Sequence, residues 1–506
     1  MLFNSFGFLF VYLPVVLAGY FWLGRYRPGW AMAWLACASL LFYGVWEWRF
    51  LPLLWLSICA NYGAAAWILN GAGTARRRRL QVALAANLML LAYYKYANFF
   101  IESVNDVALA AGQAPWPALD IVLPIGISFF TFTQIAYLVD CYRGHARTGR
   151  FIHYVLFVSY FPHLIAGPVL HHGEMMPQFA DRATLQPRAA HFAIGLSIFV
   201  IGLAKKVLIA DNMAPLAAPV FAPGAEPALL EAWIGALAYT FQLYFDFSGY
   251  SDMAIGLSRL FGVKLPLNFN SPYQARDISE FWRRWHMTLS RFLRDYLYIA
   301  LGGNRAGRWR RYRNLLLTMV LGGLWHGAGW TFVVWGALHG AYLVLHLGWR
   351  RLAGERDWGA RWWGAPLTFV CVVAAWVVFR APDLTTAIDI VGALGGANGV
   401  SLPRGLASYA NWWPWHDWRP AFDGLRWIDP KGPGLPMLAL AALLAFCAPN
   451  TQQLFQRYAP CLDAVPARAT GLSWKPTAGW SLAFAALLVC CVFNMNRVSE
   501  FLYFQF

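Results

Sequence analysis

The chain has 506 residues, of which 59% are hydrophobic, 17% aromatic and only 13% charged; a composition this apolar excludes a set of soluble domains and makes lipid the main solvent. A formal charge of +16 does not signal nucleic acid, because the basic residues fall in short clusters between apolar spans and no basic, aromatic module stands apart from them. The eight cysteines contain no CxxC pair and read as buried apolar thiols.

Stretches able to cross about 30 Å of hydrocarbon lie at 5–24, 30–48, 50–70, 80–103, 118–140, 151–170, 189–211, 228–258, 313–330, 331–349, 363–380, 435–449 and 478–496. They predict an all-α polytopic membrane protein, one integral domain over residues 1–506. About 11–13 membrane helices are expected, the short run at 435–449 being tilted or re-entrant. The first stretch lacks a leading basic patch and a small-residue cleavage site, so it reads as a retained span. Arg25 and Arg27, the run Arg76 to Arg79, and Arg143, Arg147 and Arg150 recur after every second span and belong on the cytoplasmic side. That orientation places the N-terminus outside and the dense basic region from Arg276 to Arg313 in the cytoplasm.

Within the span at 151–170, Phe161-Pro162-His163-Leu164-Ile165-Ala166-Gly167-Pro168 interrupts the helix, and broken helices at membrane depth line protein or a cavity. His163 therefore either lines a cavity or caps the break; His171 and His172, just beyond, read as interfacial. The span at 228–258 carries Asp246 and Asp252, which need basic or hydroxyl partners. The arginine-rich segment further on is the expected source, with a structural anchor favoured over a proton relay. From Ser279 to Tyr298 apolar residues recur at three- and four-residue steps beside Arg283, Arg284, Arg291 and Arg294, the pattern of one helix lying in the cytoplasmic interface.

The next span ends Gly322-Gly323-Leu324-Trp325-His326-Gly327. An ionisable ring at membrane depth is a functional candidate, and an imidazole kept neutral by its apolar surroundings can accept a proton. His326 is thus a candidate general base and His286 a companion that holds or orients a reactant; the alternative is a pair of structural histidines. Gly322, Gly323, Gly327 and Gly329 suggest space beside the ring. Trp325 supports it, and His339, one span later, reads as bonded to a neighbour. Residues 384–434 form an extramembrane excursion with a short amphipathic helix at 384–394. No metal is expected, since HExxH and CxxC spacings are missing; the serine-hydrolase elbow, phosphate loop and dinucleotide fingerprint are missing too.

Phe245-Asp246-Phe247-Ser248-Gly249-Tyr250-Ser251-Asp252, Phe281-Trp282-Arg283-Arg284-Trp285-His286, Asp295-Tyr296-Leu297-Tyr298-Ile299 with Leu301-Gly302-Gly303-Asn304-Arg305, and Leu324-Trp325-His326-Gly327 together resemble the membrane-bound O-acyltransferase (MBOAT) family. The motif around His163 and the closing Phe501 to Phe506 look like its alginate-acetylating branch. The resemblance implies a helical bundle around a central tunnel, a core region at 151–349, His326 as catalytic histidine with His286 beside it, and His163 as a further histidine of that branch. It implies no bound cofactor, cytoplasmic acetyl-CoA as donor, an exopolysaccharide acceptor, periplasmic SGNH-type acetyltransferase partners and a bacterial inner-membrane location. Arg283, Arg284, Arg291 and Arg294 either attract coenzyme A phosphates or mark topology alone. Cellulose acetylation, teichoic acid D-alanylation, a transporter with a histidine and carboxylate relay, and an export scaffold stand as alternatives.

Overall fold

The computed structural model describes residues 1–165, 167–305, 307–354, 362–406, 421, 424–429, 431–464, 472–495 and 501–502. Helices build it, in keeping with a chain that must satisfy its backbone inside lipid; among the described residues the one β-bridge joins Ser401 and Ala421. In chain order the α-helices are α1 (Leu13–Tyr26), α2 (Pro28–Glu47), α3 (Leu51–Leu69), α4 (Gly73–Leu91), α5 (Ala97–Ala110), α6 (Ile127–Arg143), α7 (Phe151–Ser159), α8 (His172–Ala180), α9 (Ala189–Ala204) and α10 (Asp211–Ala217). Then follow α11 (Leu229–Leu260), α12 (Ile278–Arg284), α13 (Met287–Phe292), α14 (Arg308–His326), α15 (Trp330–Leu352), α16 (Gly364–Arg380), α17 (Leu384–Leu394), α18 (Gly434–Phe446), α19 (Thr451–Leu454) and α20 (Ala478–Asn494). Phe8–Tyr26, Pro28–Leu69, Ala189–Ala217 and Trp330–Leu352 are long and apolar enough to cross a bilayer, and α16, α17, α18 and α20 are shorter apolar helices. The chain is a multi-pass membrane protein.

Most expected spans coincide with helices, and α17 falls on the predicted 384–394; residues 407–420, 422–423, 430 and 503–506 of the expected excursion and closing motif lie outside the described residues. Two stretches differ. The run at 118–140 is helical only from Ile127: Pro115, Pro117 and Pro124 remove backbone donors, and the segment before it is clamped instead by α5. Asn98 pairs its amide with both backbone groups of Leu119 (3.0 and 2.9 Å), and Asn105 does the same with Trp116 (2.9 and 2.7 Å). The interface helix expected at 279–298 is two helices with a corner at Trp285 and His286, where His286 takes a left-handed backbone of φ 42°. A three- and four-residue apolar rhythm persists through such a corner, which is why periodicity alone joins the pieces.

Helix α11 is buried on every face from Ala238 to Leu260, the mark of a central helix. It packs on α9 through two glycine pairs. A Cβ on Gly195 would meet the Gly256 oxygen at 2.7 Å and one on Gly256 the Gly195 oxygen at 2.6 Å; Gly202 and Gly249 are related in the same way, at 2.6 and 2.8 Å. Without a hydrophobic drive between helices in lipid, such close backbone contact is what holds them. Asp246 and Asp252 of α11 are anchored here, by lysines and not by the arginine-rich segment. Lys206 Nζ lies 2.8 Å from Asp246 and 2.8 Å from Asp211, and Lys205 Nζ lies 2.6 Å from Asp252. Thr451 and Gln452 also donate to Asp252, and the Leu502 amide to Asp246. The lysines sit in a π-turn, Lys205–Ala210, between α9 and α10, which lets adjacent residues reach two different carboxylates.

Candidate active site

His326 is the last residue of α14, stopped by Gly327. The residue is 6% exposed and its ring is packed edge-on against Trp325, Trp335 and Phe379, with centroids 4.9, 5.2 and 5.4 Å away. The His286 ring stands 6.3 Å from it. The chain thus brings together the two histidines singled out above, from the corner between α12 and α13 and from the end of α14.

His286 is fully buried and oriented by a residue that no local motif marks. Asn268 Oδ1 lies 3.0 Å from His286 Nδ1 and accepts the Thr288 hydroxyl at 2.9 Å. An amide oxygen only accepts, so Nδ1 carries the proton and, in the neutral ring, Nε2 carries the lone pair. Asn268 is held in turn by the Met287 amide on its carbonyl (2.9 Å) and by its own donation to Ser251 Oγ of α11 (3.3 Å). The left-handed corner at His286 is what allows Asn268 to meet residues 286, 287 and 288 at once.

Beside this network lies a cleft of about 250 Å³ whose lining includes Thr288, Arg291, Tyr296, His171 and Glu174. Thr288 therefore forms part of the cleft wall and, through Asn268, part of the support of His286. The Val169 amide donates to the same Thr288 hydroxyl at 2.9 Å, so the broken stretch after α7 also meets this wall. Arg291 reaches Glu174 in a two-pronged pair at 2.6 and 2.9 Å, Arg284 reaches Glu280 at 2.6 Å and Arg294 reaches Asp295 at 2.7 Å. Arg283 is exposed. Of the four arginines only Arg291 lines the cleft.

The remaining candidates fall into place around the pair or away from it. His339 accepts from the Trp282 indole at 3.3 Å and lies 4.8 Å from Trp335, a structural tie between α12 and α15. His163 is 4% exposed in the turn after α7, with its carbonyl taken by the Gly167 amide and its ring 6.2 Å from Tyr160, which itself packs on Phe161 and Phe179. His171 and His172 are not simple interfacial residues: their Nε2 atoms lie 2.9 and 3.1 Å from Asp140, which also accepts from Tyr296 at 2.5 Å. These three side chains could group around a metal ion. The Gly173 amide, however, donates to His171 Nδ1 at 3.2 Å, which leaves the ring proton on Nε2 facing the carboxylate, a hydrogen bond in place of a ligand lone pair. Of the glycines near His326, Gly323 and Gly327 do not make room for a ligand, whereas a Cβ on Gly322 would meet only the Leu293 tip and one on Gly329 would make ordinary contacts. A Cβ on Gly323 would collide with the Phe332 carbonyl, and one on Gly327 with the Phe332 ring; they let α15 approach.

Two further residues were not singled out by sequence reasoning. Lys95 and Tyr96, in a π-turn Ala92–Tyr96 between α4 and α5, donate to the carbonyls of the last turn of α14. The signal was present: a lysine within an apolar run at membrane depth is itself a functional candidate.

The MBOAT profile, for the membrane-bound O-acyltransferase family, matches residues 40–375, which contain both histidines, Asn268, Thr288 and Arg291, with Phe379 just beyond. Among relatives, the chain is 41% identical to a peptidoglycan O-acetyltransferase of Helicobacter pylori over 90% of this chain and 91% of that one. It is 46% identical to a probable alginate O-acetylase of Pseudomonas aeruginosa over 76% and 73% of the two chains. A probable alginate O-acetylase of Pseudomonas putida matches at 39% over the full length of both. A buried histidine pair at a helix end, inside a many-helix membrane fold that matches over most of its length, thus has one family to which it belongs: the chain is a membrane-bound O-acyltransferase.

Proposed function

We propose that this enzyme lies in a bacterial inner membrane and moves acetyl groups from cytoplasmic acetyl-CoA toward an exported polysaccharide, with His326 as general base. The observation that carries the reading is the placing of His326 at the inner end of a helix, 6.3 Å from a second histidine whose proton is fixed on Nδ1 by Asn268. A hydroxyl is a weak nucleophile until a base takes its proton as attack proceeds. In the proposed step the acceptor oxygen bonds to the acetyl carbon, its proton passes to the His326 ring, and the carbon–sulfur bond breaks. The same ring returns the proton to the leaving thiolate. His286 presents its Nε2 side as a polar companion in the pocket, and Trp325, Trp335 and Phe379 exclude water. The cleft beside Thr288 and Arg291 serves as the mouth for the donor, and its arginine-rich surroundings agree with a cytoplasmic opening.

The acceptor is read as alginate, which extends to the chain what the two Pseudomonas relatives are named for; completion of the transfer by periplasmic SGNH-type subunits follows from the motif resemblance alone. Peptidoglycan glycan is the second reading, favoured by the Helicobacter relative and its 91% coverage. His326→Ala tests the core of the proposal. A positioned base contributes ~10²–10⁴-fold, so acetylation should fall by at least that factor while the protein stays in the membrane. Acetyl content within a few-fold of wild type would refute it.

A further inference from the structure

An α-helix leaves its last four carbonyls without intrahelical donors, and α14 ends inside the protein. The Gly327 amide turns back to the Gly323 oxygen at 3.4 Å. The other three are met from another part of the chain. Tyr96 Oη donates to Leu324 O at 2.9 Å, and Lys95 Nζ donates to Trp325 O at 2.5 Å and His326 O at 3.1 Å. The third proton of the ammonium goes to Ser128 Oγ of α6 at 3.3 Å. A lysine has three donors, and here all three are engaged, two of them on the backbone of the candidate base and the residue before it.

The π-turn explains how one segment supplies both groups. Its wider turn places Lys95 and Tyr96 side by side against successive carbonyls, a geometry often found at functional sites. A cation also suits a helix C-terminus, where the backbone carries partial negative charge, and charge-assisted hydrogen bonds are roughly twice as strong as neutral ones. A neutral side chain in this place could cap the carbonyls but would hold them less firmly.

We infer that Lys95 is a positioning residue for acyl transfer: its ammonium ties the last turn of α14 to α6 and to the turn between α4 and α5, and so sets the direction in which His326 presents its reacting nitrogen. The inference rests on the reading of His326 as the base. Lys95 touches the backbone of that residue and not its ring, so it acts by holding His326 still. A displacement of about 1 Å at a reacting group costs on the order of 10²-fold in rate, and this sets the size of the effect.

The test uses the full-length protein in proteoliposomes, with acetyl-CoA on the arginine-rich side, alginate oligosaccharide supplied as the acceptor, and acceptor-dependent coenzyme A release as the readout. Lys95→Gln keeps two amide protons for the carbonyls but no charge. It should lower kcat by roughly 30- to 100-fold while the KM for acetyl-CoA stays within about twofold. Lys95→Arg, which keeps the charge and the donors, should recover kcat to within about fivefold of wild type. Lys95→Met removes every donor and should be at least as slow as Lys95→Gln where it folds; where it does not, the Gln and Arg pair decides alone. Wild-type kcat in Lys95→Gln, or a loss carried wholly by KM, overturns the inference. His326→Ala in the same assay separates the two readings. If that variant is inactive and Lys95→Gln is fully active, only the positioning role fails; if it is active, the base assignment fails and takes the positioning role with it.

Discussion

Replacing Gly323 by alanine probes how closely α14 and α15 must approach for the site to work. The added Cβ would stand 3.1 Å from both Cα and N of Gly336 and would overlap the Phe332 carbonyl oxygen. All three are backbone atoms, so no side chain can swing away, and the helices must part by roughly 1 Å to restore normal contact. Overpacking of this kind costs about 1–3 kcal/mol, which a protein with the cores described here can absorb. The same displacement, three residues before His326, should lower acetyl transfer by about 100-fold. Gly322 is the internal control, since its Cβ would meet only Leu293 Cδ1, at 3.1 Å, the tip of a side chain that can shift. Alanine there gains up to about 1 kcal/mol of helix propensity and should leave transfer within about threefold of wild type. Both variants would be compared at equal membrane abundance by acetyl-CoA turnover, with melting in detergent as the check on folding. Wild-type turnover in Gly323→Ala, or equal losses in the two variants, would refute the claim that Gly323 serves helix contact.

Asn268→Ala removes the acceptor of His286 Nδ1 and of the Thr288 hydroxyl; leaving buried donors unpaired costs about 1–3 kcal/mol, and kcat should fall by ~10- to 100-fold as the ring loses its orientation. Asn268→Asp, which keeps the acceptor, should lose less, and equal rates in both variants would show that Asn268 does not act through that oxygen. Arg291→Ala should raise the KM for acetyl-CoA by about tenfold at low salt, with the difference shrinking as salt screens the phosphates. Arg284→Ala, away from the cleft, should change it by less than about twofold. An unchanged KM in Arg291→Ala would remove the cleft from donor binding.

Much of the fold was legible because lipid imposes a coarse rule, namely long apolar runs separated by basic clusters. It located α1 to α3, α9, α11 and α14 to α16, while the short α17 was legible from its amphipathic pattern. The run at 118–140 failed the rule because prolines override hydropathy, and α7 stopped at Ser159 where Pro162 follows. The two histidines were legible as ionisable groups in apolar surroundings. Their supports were not: Asn268 carries no mark of its role until a left-handed residue folds His286 back onto it. The lysine partners of Asp246 and Asp252 were hidden for a similar reason, since Lys205 and Lys206 read from sequence as the end of an apolar span.

The amino-acid sequence by itself determined the solvent of the chain, the approximate course of its spans, the family its motifs resemble and the pair His286 and His326 as the candidate place for chemistry. Each of those follows from local composition or short spacing, which the transfer of residues into lipid reads one segment at a time. Only the tertiary structure decided which glycines bring helices together, that lysines and not arginines neutralise α11, and that Lys95 and Tyr96 close the end of α14. Those are matters of distance between segments far apart in the chain, set by how buried backbone and charged groups find partners when water is absent.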